Sequence, residues 1–467
     1  MPEPIHDNTM SDTEALMWRL ESDPYLASTF ANVIILDRLP DMGRLRRRME
    51  RAVQRVPRLR QRVYTVPGNL SGPTWVTDSE FNLDLHLRQL ALPEPGTDRQ
   101  LFDLATLITA DPFDRTRPLW QFVVVEGLSG GRAALIEKLH HTITDGERGV
   151  QLSLEFLDFD RDAPEPTDSP ADKQQHDHEQ ADSTAADPDL LTADAVRGLL
   201  ASGLRLPLGV VRQVRELLAD PTQIPAASTA AAETLRDIVS QLGATDRARS
   251  PLWTERSLRR RLDVASAPLA ETRAATRKLG GSLNTAFLTI ASEATSRYHV
   301  ELGAPVESLR ASMAISTRTE GSGANAFSLV RLLVPTGEIP IDERFRAIQE
   351  STQAAVGESQ DASMDTLAAM ASTIPSQILT RLARQQTQTV DFATSNVKGS
   401  PVAMYVAGAR QLNNYPAGPL SGVAFNLTLL SYLDTLDMGI NTDVAAIKEP
   451  ELLVRSFDGA IADFISV

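Results

Sequence analysis

A stretch of chain with almost no apolar side chains divides the sequence into two parts. Residues 160–189 contain ten acidic residues, two basic residues and very few apolar ones. A segment of this composition cannot bury enough apolar surface to offset the conformational entropy that it would lose on ordering. We therefore predict a disordered acidic linker at 160–189, with folded protein on both sides of it. A chain of 467 residues is long enough for each side to bury a core of its own.

The linker defines an organisation of four segments. Residues 1–159 are predicted to form an N-terminal domain and residues 246–467 a C-terminal domain, and each domain mixes helices with strands. Between the linker and the second domain, residues 190–245 are predicted to form a helical connector, which Pro207 divides because proline breaks the helical hydrogen-bond ladder. The predicted fold class is therefore α/β, in the mixed α+β sense, with two halves joined by a crossover.

Hydrophobic periodicity predicts the individual elements. A capping box at residues 11–14 precedes a first helix, and apolar residues at helical spacing predict a second helix at 42–53. Strict alternation predicts a half-buried strand at 81–88, with His86 on its polar face. The remaining predicted elements are strands at 120–126 and 132–139, a helix at 146–157, helices at 283–298 and 343–355, and strands at 309–315, 327–334, 402–406, 423–431 and 436–441.

Composition excludes several classes of function. The formal net charge is −15, the pI is near 5.0 and no strongly basic patch stands out, which argues against nucleic acid as a partner. Cysteine is absent, which excludes disulfides, zinc–thiolate sites and a thiol nucleophile, and is compatible with a cytoplasmic protein. The sequence has no signal peptide and no run of about 18 apolar residues, so any membrane contact is expected to be peripheral.

The strongest functional signal is the sequence HHTITDG at residues 140–146, which follows the predicted strand at 132–139. A histidine at the end of a strand, held by its surroundings, is suited to removing a proton from a hydroxyl or an amine. Because neighbouring strand residues point to opposite faces, one of His140 and His141 is expected to face a site and the other the core. The same alternation, and the lack of an accompanying zinc or facial-triad motif in the sequence, disfavours a metal site.

Asp145 and Gly146 complete this motif and leave two interpretations open. The pair indicates a tight turn from strand to helix that fixes the geometry of the histidines. Asp145 is then either the second member of a histidine–aspartate dyad or an anchor of the turn, held through an arginine. A residue at the start of a helix usually serves the local backbone first, which favours the anchor.

Further motifs accompany HHTITDG along the chain. They are RPLW at 117–120, GSLN at 281–284, SNVKGS at 395–400, VAGAR at 406–410, YP at 415–416, and the segment 430–439, which begins LSY and ends LDMG. With these motifs the sequence resembles the bacterial wax ester synthase/diacylglycerol acyltransferase family, a branch of the CoA-dependent acyltransferase superfamily. The resemblance covers most of the chain outside the acidic linker. Each motif alone is weak, and it is their number and order that carry the resemblance.

The resemblance implies a fold and a reaction. The fold is two chloramphenicol-acetyltransferase-like domains joined by a crossover, with the active site between them, reached by a CoA tunnel from one face and an acceptor channel from the other. The reaction esterifies a lipid alcohol, either diacylglycerol or a long-chain fatty alcohol, with the acyl group of acyl-CoA. It forms no acyl-enzyme, and it needs no cofactor because acyl-CoA is a substrate.

The resemblance also implies roles for individual residues. His141 is expected to be the general base, and Asn284 is expected to donate a hydrogen bond to the tetrahedral oxyanion. Asn396 is expected to shape the site, and Gly399 to let the backbone approach the substrate closely. Trp120 is either a substrate-binding residue or a core aromatic.

Several positions depart from the family pattern. The family's Asn-Asp pair is Asn284-Thr285 here, and its SNVPGP element is SNVKGS, with Lys398 and Ser400 in place of two prolines. Residues 24–27 read PYLA, where the family usually shows a PMH-type segment. These changes leave the base in place and bear on the choice of acceptor and on the rate.

Two other functions stand beside the leading one. Another acyltransferase of the superfamily, condensation-type or polyketide-associated, is disfavoured by the motifs at 395–439 and by the lack of a carrier domain in the sequence. A catalytically weak lipid-binding or lipid-droplet homologue is favoured by the changes at Thr285 and Lys398. Residues 190–218 combine leucines with four arginines, so they are either an interfacial segment on a membrane or lipid-body surface or a packed connector.

Overall fold

The computed structural model of the chain describes residues 9–65, 72–144, 149, 152–164, 249–316, 327–358 and 376–467. The predicted connector at 190–245 and most of the predicted acidic linker lie outside these residues, as do Asp145 and Gly146 of the HHTITDG motif. Most of the described strands belong to two sheets.

Seven strands form the first sheet. In spatial order they are β4 (Leu87–Ala91), β5 (Trp120–Leu128), β6 (Arg132–His140), β1 (Thr29–Leu36), β13 (Ala409–Ala417), β12 (Tyr405–Val406) and β7 (Leu157–Asp158). Strands β4 and β5 are parallel, and the other neighbours are antiparallel. Two strands from the second half of the chain, β12 and β13, therefore complete a sheet that the first half begins.

Six strands form the second sheet. Their order is β10 (Phe327–Pro335), β9 (Ser308–Ser316), β11 (Phe392–Val397), β14 (Phe425–Tyr432), β15 (Thr435–Asp443) and β8 (Arg260–Pro268). Strand β11 runs parallel to both of its neighbours, and the other pairs are antiparallel. A separate short sheet pairs β2 (Gln61–Tyr64) with β3 (Thr74–Thr77). The described part of the chain therefore combines mixed sheets with helices, as the predicted fold class requires.

Helices cover the faces of the sheets. Those with described bounds are α1 (Asp12–Leu20), α2 (Met42–Arg55), α3 (Asp98–Ala110), α4 (Leu269–Leu279), α5 (Leu283–Glu301), α6 (Ile341–Glu358), α7 (Ser376–Thr387) and α8 (Pro450–Ser466), with 3-10 turns at Pro24–Leu26, Pro57–Arg60, Leu83–Leu85 and Ser129–Gly131. Helix α2 packs on one face of the first sheet and α3 on the other, while α5 and α8 pack on the second sheet. None of the helices in the described ranges is long and apolar enough to cross a bilayer.

The predicted elements agree with the structure where the periodicity is strong. The capping box at residues 11–14 is formed, and the helices predicted at 283–298 and 343–355 correspond to α5 and α6. The helix predicted at 146–157 is wrong at its end, because the chain turns at 154–156 and then enters β7. Periodicity did not reveal several elements, namely β1, β8, β11, β13, α3 and α8.

The strand predicted at 81–88 is wrong over most of its length. The side chain of Asn82 accepts a hydrogen bond from the backbone N–H of Asp84 at 2.9 Å, which starts a 3-10 turn at Leu83–Leu85. The strand begins only at Leu87. A local side-chain bond of this kind competes with the extended backbone that the apolar alternation favours.

His86 consequently lies in the core and not on a polar strand face. It is 3% exposed, and its Nδ1 lies 2.7 Å from the carbonyl oxygen of Trp120. Its ring stacks on Phe81 and on Trp120, with centroid distances of 5.1 and 4.7 Å. Burial, the largest influence, lowers the pKa of His86 below the usual histidine value.

The first residues of the predicted linker are held against helix α2. Arg44 and Arg48 donate hydrogen bonds to backbone carbonyl groups between Arg161 and Pro164, and both pair with the buried carboxylate of Asp158, at 2.8 and 2.7 Å. The linker prediction is therefore wrong for residues 160–164. Composition could not show this, because the donors belong to a helix more than a hundred residues earlier in the chain.

Candidate active site

Two adjacent histidines lie where strand β6 ends, next to strand β1. His140 is opposite Thr29 in the sheet and is 1% exposed, whereas His141 follows the strand and is half-buried. The ring centroid of His141 lies 4.6 Å from that of Phe30, and its backbone N–H donates to the carbonyl of Ser28 at 3.1 Å. The two side chains therefore differ in access, as the alternation along a strand predicts.

Both ring nitrogens of His140 contact polar groups. Its Nδ1 accepts a hydrogen bond from the backbone N–H of Thr142 at 3.1 Å and lies 2.8 Å from the hydroxyl oxygen of the same residue. Because Nδ1 accepts this bond, the proton of the neutral ring is assigned to Nε2. Nε2 lies 3.0 Å from Oε2 of Glu21, although its N–H does not point at that oxygen. His140 thus stabilises the loop that carries His141.

Glu21 is a residue of this site that sequence reasoning missed. Burial by itself raises the pKa of Glu21, but contact with His140, the bond from the backbone N–H of Ser28 and the charge of Arg115 outweigh it. The pKa of Glu21 therefore lies below the usual glutamate value. No sequence motif includes Glu21, and its contacts could not be predicted because its partners are separated from it in sequence.

Two candidate residues, Asn284 and Asn396, meet at the second sheet. Nδ2 of Asn396 donates to Oδ1 of Asn284 at 2.5 Å. Asn284 lies in the first turn of α5, and Asn396 lies near the end of β11. Both residues are exposed. The structure thus makes one polar pair from two motifs that are far apart in sequence.

Thr285, for which the resemblance predicts an aspartate, belongs to the cap of helix α5. Its backbone N–H donates to Oγ of Ser282, the N-cap residue, at 3.2 Å, and the two hydroxyl oxygens are 3.0 Å apart. The side chain of Thr285 is buried. Threonine therefore satisfies a helix terminus here, whereas the neighbouring Asn284 is exposed.

The SNVKGS segment turns tightly against strand β14. A Cβ atom at Gly399 would lie 2.2 Å from the carbonyl oxygen of Ser431, so this close approach requires glycine. The N–H of Gly399 donates to Oγ of Ser431 at 3.2 Å. Ser400 bonds through its hydroxyl to both the N–H and the carbonyl of Val402, and Lys398 is exposed. Gly399 and Ser400 therefore build the turn that follows Asn396.

The ends of β11 and β14 pack against the core of the first sheet. Val397 contacts an apolar cluster that includes Leu139, the residue before His140, and Leu430 and Tyr432 of β14 belong to the same cluster. Asn396 directly precedes Val397. His140 therefore ends a central strand of the first sheet, Asn396 lies near the end of a central strand of the second, and the ends of β11 and β14 join the apolar core of the first sheet.

Trp120 lies within the apolar core of the first sheet. It is 1% exposed, and its Nε1 donates to the carbonyl of Leu59 at 2.7 Å. Its ring contacts His86 and Phe122. Packing accounts for all of these contacts, and a role of Trp120 in substrate binding stays a prediction.

Two buried titratable residues precede the histidines on β6. Glu137 is 1% exposed; one carboxyl oxygen lies 3.2 Å from Nδ2 of Asn32, and the other has no hydrogen-bond partner among the residues that the structure describes. Burial raises the pKa of Glu137 to about 7. Lys138 donates to the carbonyl of Asp111 at 2.6 Å, and burial lowers the pKa of Lys138 to about 8. Both read as ordinary strand residues in the sequence, because burial appears only in the folded sheet.

The remaining predictions for the HHTITDG motif stay open. Asp145 and Gly146 lie outside the described residues, so their roles stay predictions. Within the described ranges, no group of three or more histidine, cysteine or acidic side chains could hold a metal ion.

Comparison with known proteins joins these motifs to a family. The model described as the wax ester synthase/diacylglycerol acyltransferase catalytic domain matches residues 10–287, and the model of the family's C-terminal domain matches residues 323–464. The chain belongs to this family. Membership makes it an acyltransferase and confirms the resemblance inferred from the motifs.

Two similar proteins of Mycobacterium tuberculosis are named as diacylglycerol O-acyltransferases. One is 31% identical over 477 residues, a match that covers 99% of this chain and 93% of the relative. The other is 27% identical over 425 residues and covers 88% of this chain and 85% of the relative. The likeness therefore extends over nearly the whole length of each protein.

Two solved structures share the fold of this acyltransferase. The wax ester synthase/diacylglycerol acyltransferase from Marinobacter aquaeolei VT8 matches with a TM-score of 0.67 at 21% identity, covering 98% of each chain. The first condensation domain of the calcium-dependent antibiotic synthetase matches with a TM-score of 0.55 at 12% identity, covering 99% of this chain and 97% of that one. At these identities the likeness concerns the fold alone, and it confirms the expected fold of the CoA-dependent acyltransferase type.

Proposed function

We propose that the protein transfers the acyl group of an acyl-CoA to the hydroxyl of a lipid alcohol, with His141 as the general base. The observation that carries the proposal is the position of the two histidines in a chain of this family: β6 ends at His140, which is buried, and His141 follows, half-buried beside Phe30. The names of the mycobacterial relatives favour diacylglycerol as the acceptor, and the family also supports a long-chain alcohol.

The proposed reaction passes through one tetrahedral intermediate. His141 takes the proton of the acceptor hydroxyl while the oxygen attacks the carbonyl carbon of the thioester. The C–S bond of the intermediate then breaks, and the CoA thiolate leaves with the proton that His141 carries. A neutral imidazole accepts a proton and its conjugate acid releases one near neutral pH, which suits both steps. The reaction requires no cofactor beyond acyl-CoA as substrate.

The asparagine pair is proposed to stabilise the oxyanion of this intermediate. The bond from Asn396 occupies Oδ1 of Asn284, and no residue in the described ranges accepts a hydrogen bond from Nδ2 of Asn284. An oriented donor of this kind is worth about 3 kcal/mol to a developing oxyanion. Asn396 then sets the orientation of Asn284, and Gly399 sets the turn that follows Asn396.

The lipid acceptor implies contact with a lipid surface, and we propose that this contact is peripheral. No helix in the described part of the chain is long and apolar enough to span a bilayer. Residues 190–218, which lie outside the described part, carry the leucines and four arginines that an interfacial segment needs. The surface of a membrane and that of a lipid body are equivalent in this respect.

A turnover assay with defined acceptors tests the proposal. The purified protein is given palmitoyl-CoA with diacylglycerol, hexadecanol or a long-chain amine, and both CoA release and the acylated product are measured. We expect ester formation with an alcohol, and a loss of at least about a hundred-fold in His141→Ala. An amide product alone would favour condensation-type chemistry. Lipid binding without turnover would favour a lipid-binding homologue, and either result would refute the proposal.

A further inference from the structure

Glu21 connects the first helix to the strands that carry the histidines. It is the C-cap residue of α1, and its side chain is 13% exposed. Its Oε2 accepts a hydrogen bond from the backbone N–H of Ser28 at 2.7 Å and lies 3.0 Å from Nε2 of His140. One carboxylate oxygen therefore contacts both the residue before β1 and the last residue of β6.

Ser28 extends this contact to His141. Its N–H donates to Glu21, and its carbonyl accepts the backbone N–H of His141 at 3.1 Å. A second path runs through His140, whose Nδ1 accepts the N–H of Thr142. The backbone of His141 is thus tied directly to Ser28, and the residues before and after it are tied to each other. Both paths begin at the Glu21 carboxylate.

The surroundings of Glu21 keep it ionised. The titratable groups that act on the carboxylate are His140 and Lys138 of β6, Arg115 of the loop before β5, and Arg260 of β8. Burial raises the pKa of Glu21, but the contact with His140 and the bond from a backbone N–H lower the pKa by more than burial raises it. An ionised carboxylate accepts a stronger hydrogen bond from a backbone N–H than a neutral carboxylic acid does.

We propose that Glu21 is a positioning residue for acyl transfer, whose carboxylate fixes, through Ser28 and His140, the backbone from which the His141 side chain reaches the acceptor hydroxyl. The inference rests on the proposed function in taking His141 as the base. Glu21 touches none of the reacting atoms in this scheme, and it acts through the placement of the base. A misplacement of about 1 Å can lower a rate by about a hundred-fold.

Two substitutions separate the charge of Glu21 from its hydrogen bonding. In Glu21→Gln the amide oxygen still accepts the N–H of Ser28, but the negative charge beside His140 is lost. Glu21→Asp keeps the charge on a shorter side chain. Glu50→Gln is the matched control, because it removes an exposed carboxylate that pairs with Arg46 on α2.

The kinetic constants and their pH dependence distinguish positioning from folding. We expect Glu21→Gln to lower kcat by about ten- to a hundred-fold, with the KM for each substrate changed by less than about two-fold. The acid limb of kcat/KM is expected to move to lower pH, because a nearby negative charge favours the protonated imidazole. Glu21→Asp should recover part of kcat, and Glu50→Gln should match the wild type.

A purely structural role predicts a different outcome. Glu21→Gln would then have a lower melting temperature, while the folded fraction would keep the wild-type kcat and acid limb. That result would overturn the proposal, and so would equal losses in Glu21→Gln and Glu50→Gln.

Nuclear magnetic resonance of labelled histidines tests the same point without turnover. The chain has seven histidines, so histidine-selective ¹⁵N labelling gives a short set of ring signals, which substitution of His140 and His141 assigns. We expect Glu21→Gln to shift the ring signals of both residues, and Glu50→Gln to shift neither. If the wild type is inactive but these signals respond, the proposed function is refuted while the contact between Glu21 and the histidines is supported. If the His141 signals do not respond, the positioning proposal is refuted.

Discussion

Asn396 donates a hydrogen bond to Asn284 across 2.5 Å, although 112 residues separate the two along the chain. One asparagine belongs to the first turn of α5 and the other to the end of β11. The bond orients the amide of Asn284, so the two residues are expected to act as a unit.

A double-mutant cycle tests this unit. We predict that Asn284→Ala lowers kcat by about a hundred-fold, because an oxyanion donor is lost, and that Asn396→Ala lowers it by about ten-fold, because the donor loses its orientation. The double substitution should be no worse than Asn284→Ala alone. The rates are measured with saturating acyl-CoA and alcohol, with Glu50→Gln on α2 as a control. Losses that add in full would contradict the coupling.

Substitutions of the two histidines are predicted to have different effects. His141→Ala should lower turnover by at least about a hundred-fold with little change in melting temperature, since its side chain is only half-buried. His140→Ala should lower the melting temperature, because it removes the side-chain contacts with Glu21 and Thr142. Turnover and thermal unfolding are measured on the same preparations. Wild-type activity in His141→Ala would refute the mechanism.

Deletions in the acidic segment should have effects that depend on where they begin. Removing residues 168–187 is predicted to leave fold and activity nearly intact, because their composition does not favour packing. Removing 163–187 also deletes the carbonyl groups of Ala163 and Pro164, which Arg44 and Arg48 bind. This longer deletion is predicted to lower the free energy of unfolding by about 2–3 kcal/mol. Denaturant unfolding compares the two, and equal stabilities would show that these bonds contribute little.

Glu137 should make stability depend on pH. Its pKa is raised by burial to about 7 from 4.5, so its contribution is fully present below pH 4.5 and is lost as the pH rises through about 7. We predict that, relative to Glu137→Gln, the wild type loses up to roughly 3 kcal/mol between those values. His299 of α5 is fully buried, and its Nε2 lies 2.8 Å from the hydroxyl oxygen of Ser250. Burial lowers the pKa of His299, so its contribution is lost in the other direction, as the pH falls below 6.5. Unfolding free energies measured from pH 5 to about 8 test both signs. Parallel curves for wild type and Glu137→Gln would contradict the first.

The arginines of residues 190–218 are predicted to bind a lipid surface. Each arginine near an anionic surface is worth about 1 kcal/mol, so changing Arg197, Arg205, Arg212 and Arg215 to glutamine should weaken binding to anionic vesicles by up to about a thousand-fold. Cosedimentation with such vesicles measures this, with neutral vesicles as the control. Unchanged binding by a folded variant would favour a segment packed as a connector.

Local signals in the sequence were sufficient for the family and for those elements whose periodicity is strong. The capping box at residues 11–14 and the apolar spacing of α5 depend on neighbours within one or two helical turns, so they could be predicted before any contact was known. The HHTITDG motif is equally local, and alternation alone predicts that one of His140 and His141 is buried and the other accessible.

The tertiary structure decided which distant groups meet. Strand β13 joins the first sheet although it belongs to the second half of the chain, Asn396 binds Asn284, and Glu21 contacts His140. His86 was misplaced for the same reason, because its burial depends on Trp120 and not on its neighbours in the chain. Periodicity reports how a side chain lies relative to its own helix or strand. Burial, ion pairing and pKa depend on groups that the fold brings from elsewhere, which no local pattern encodes.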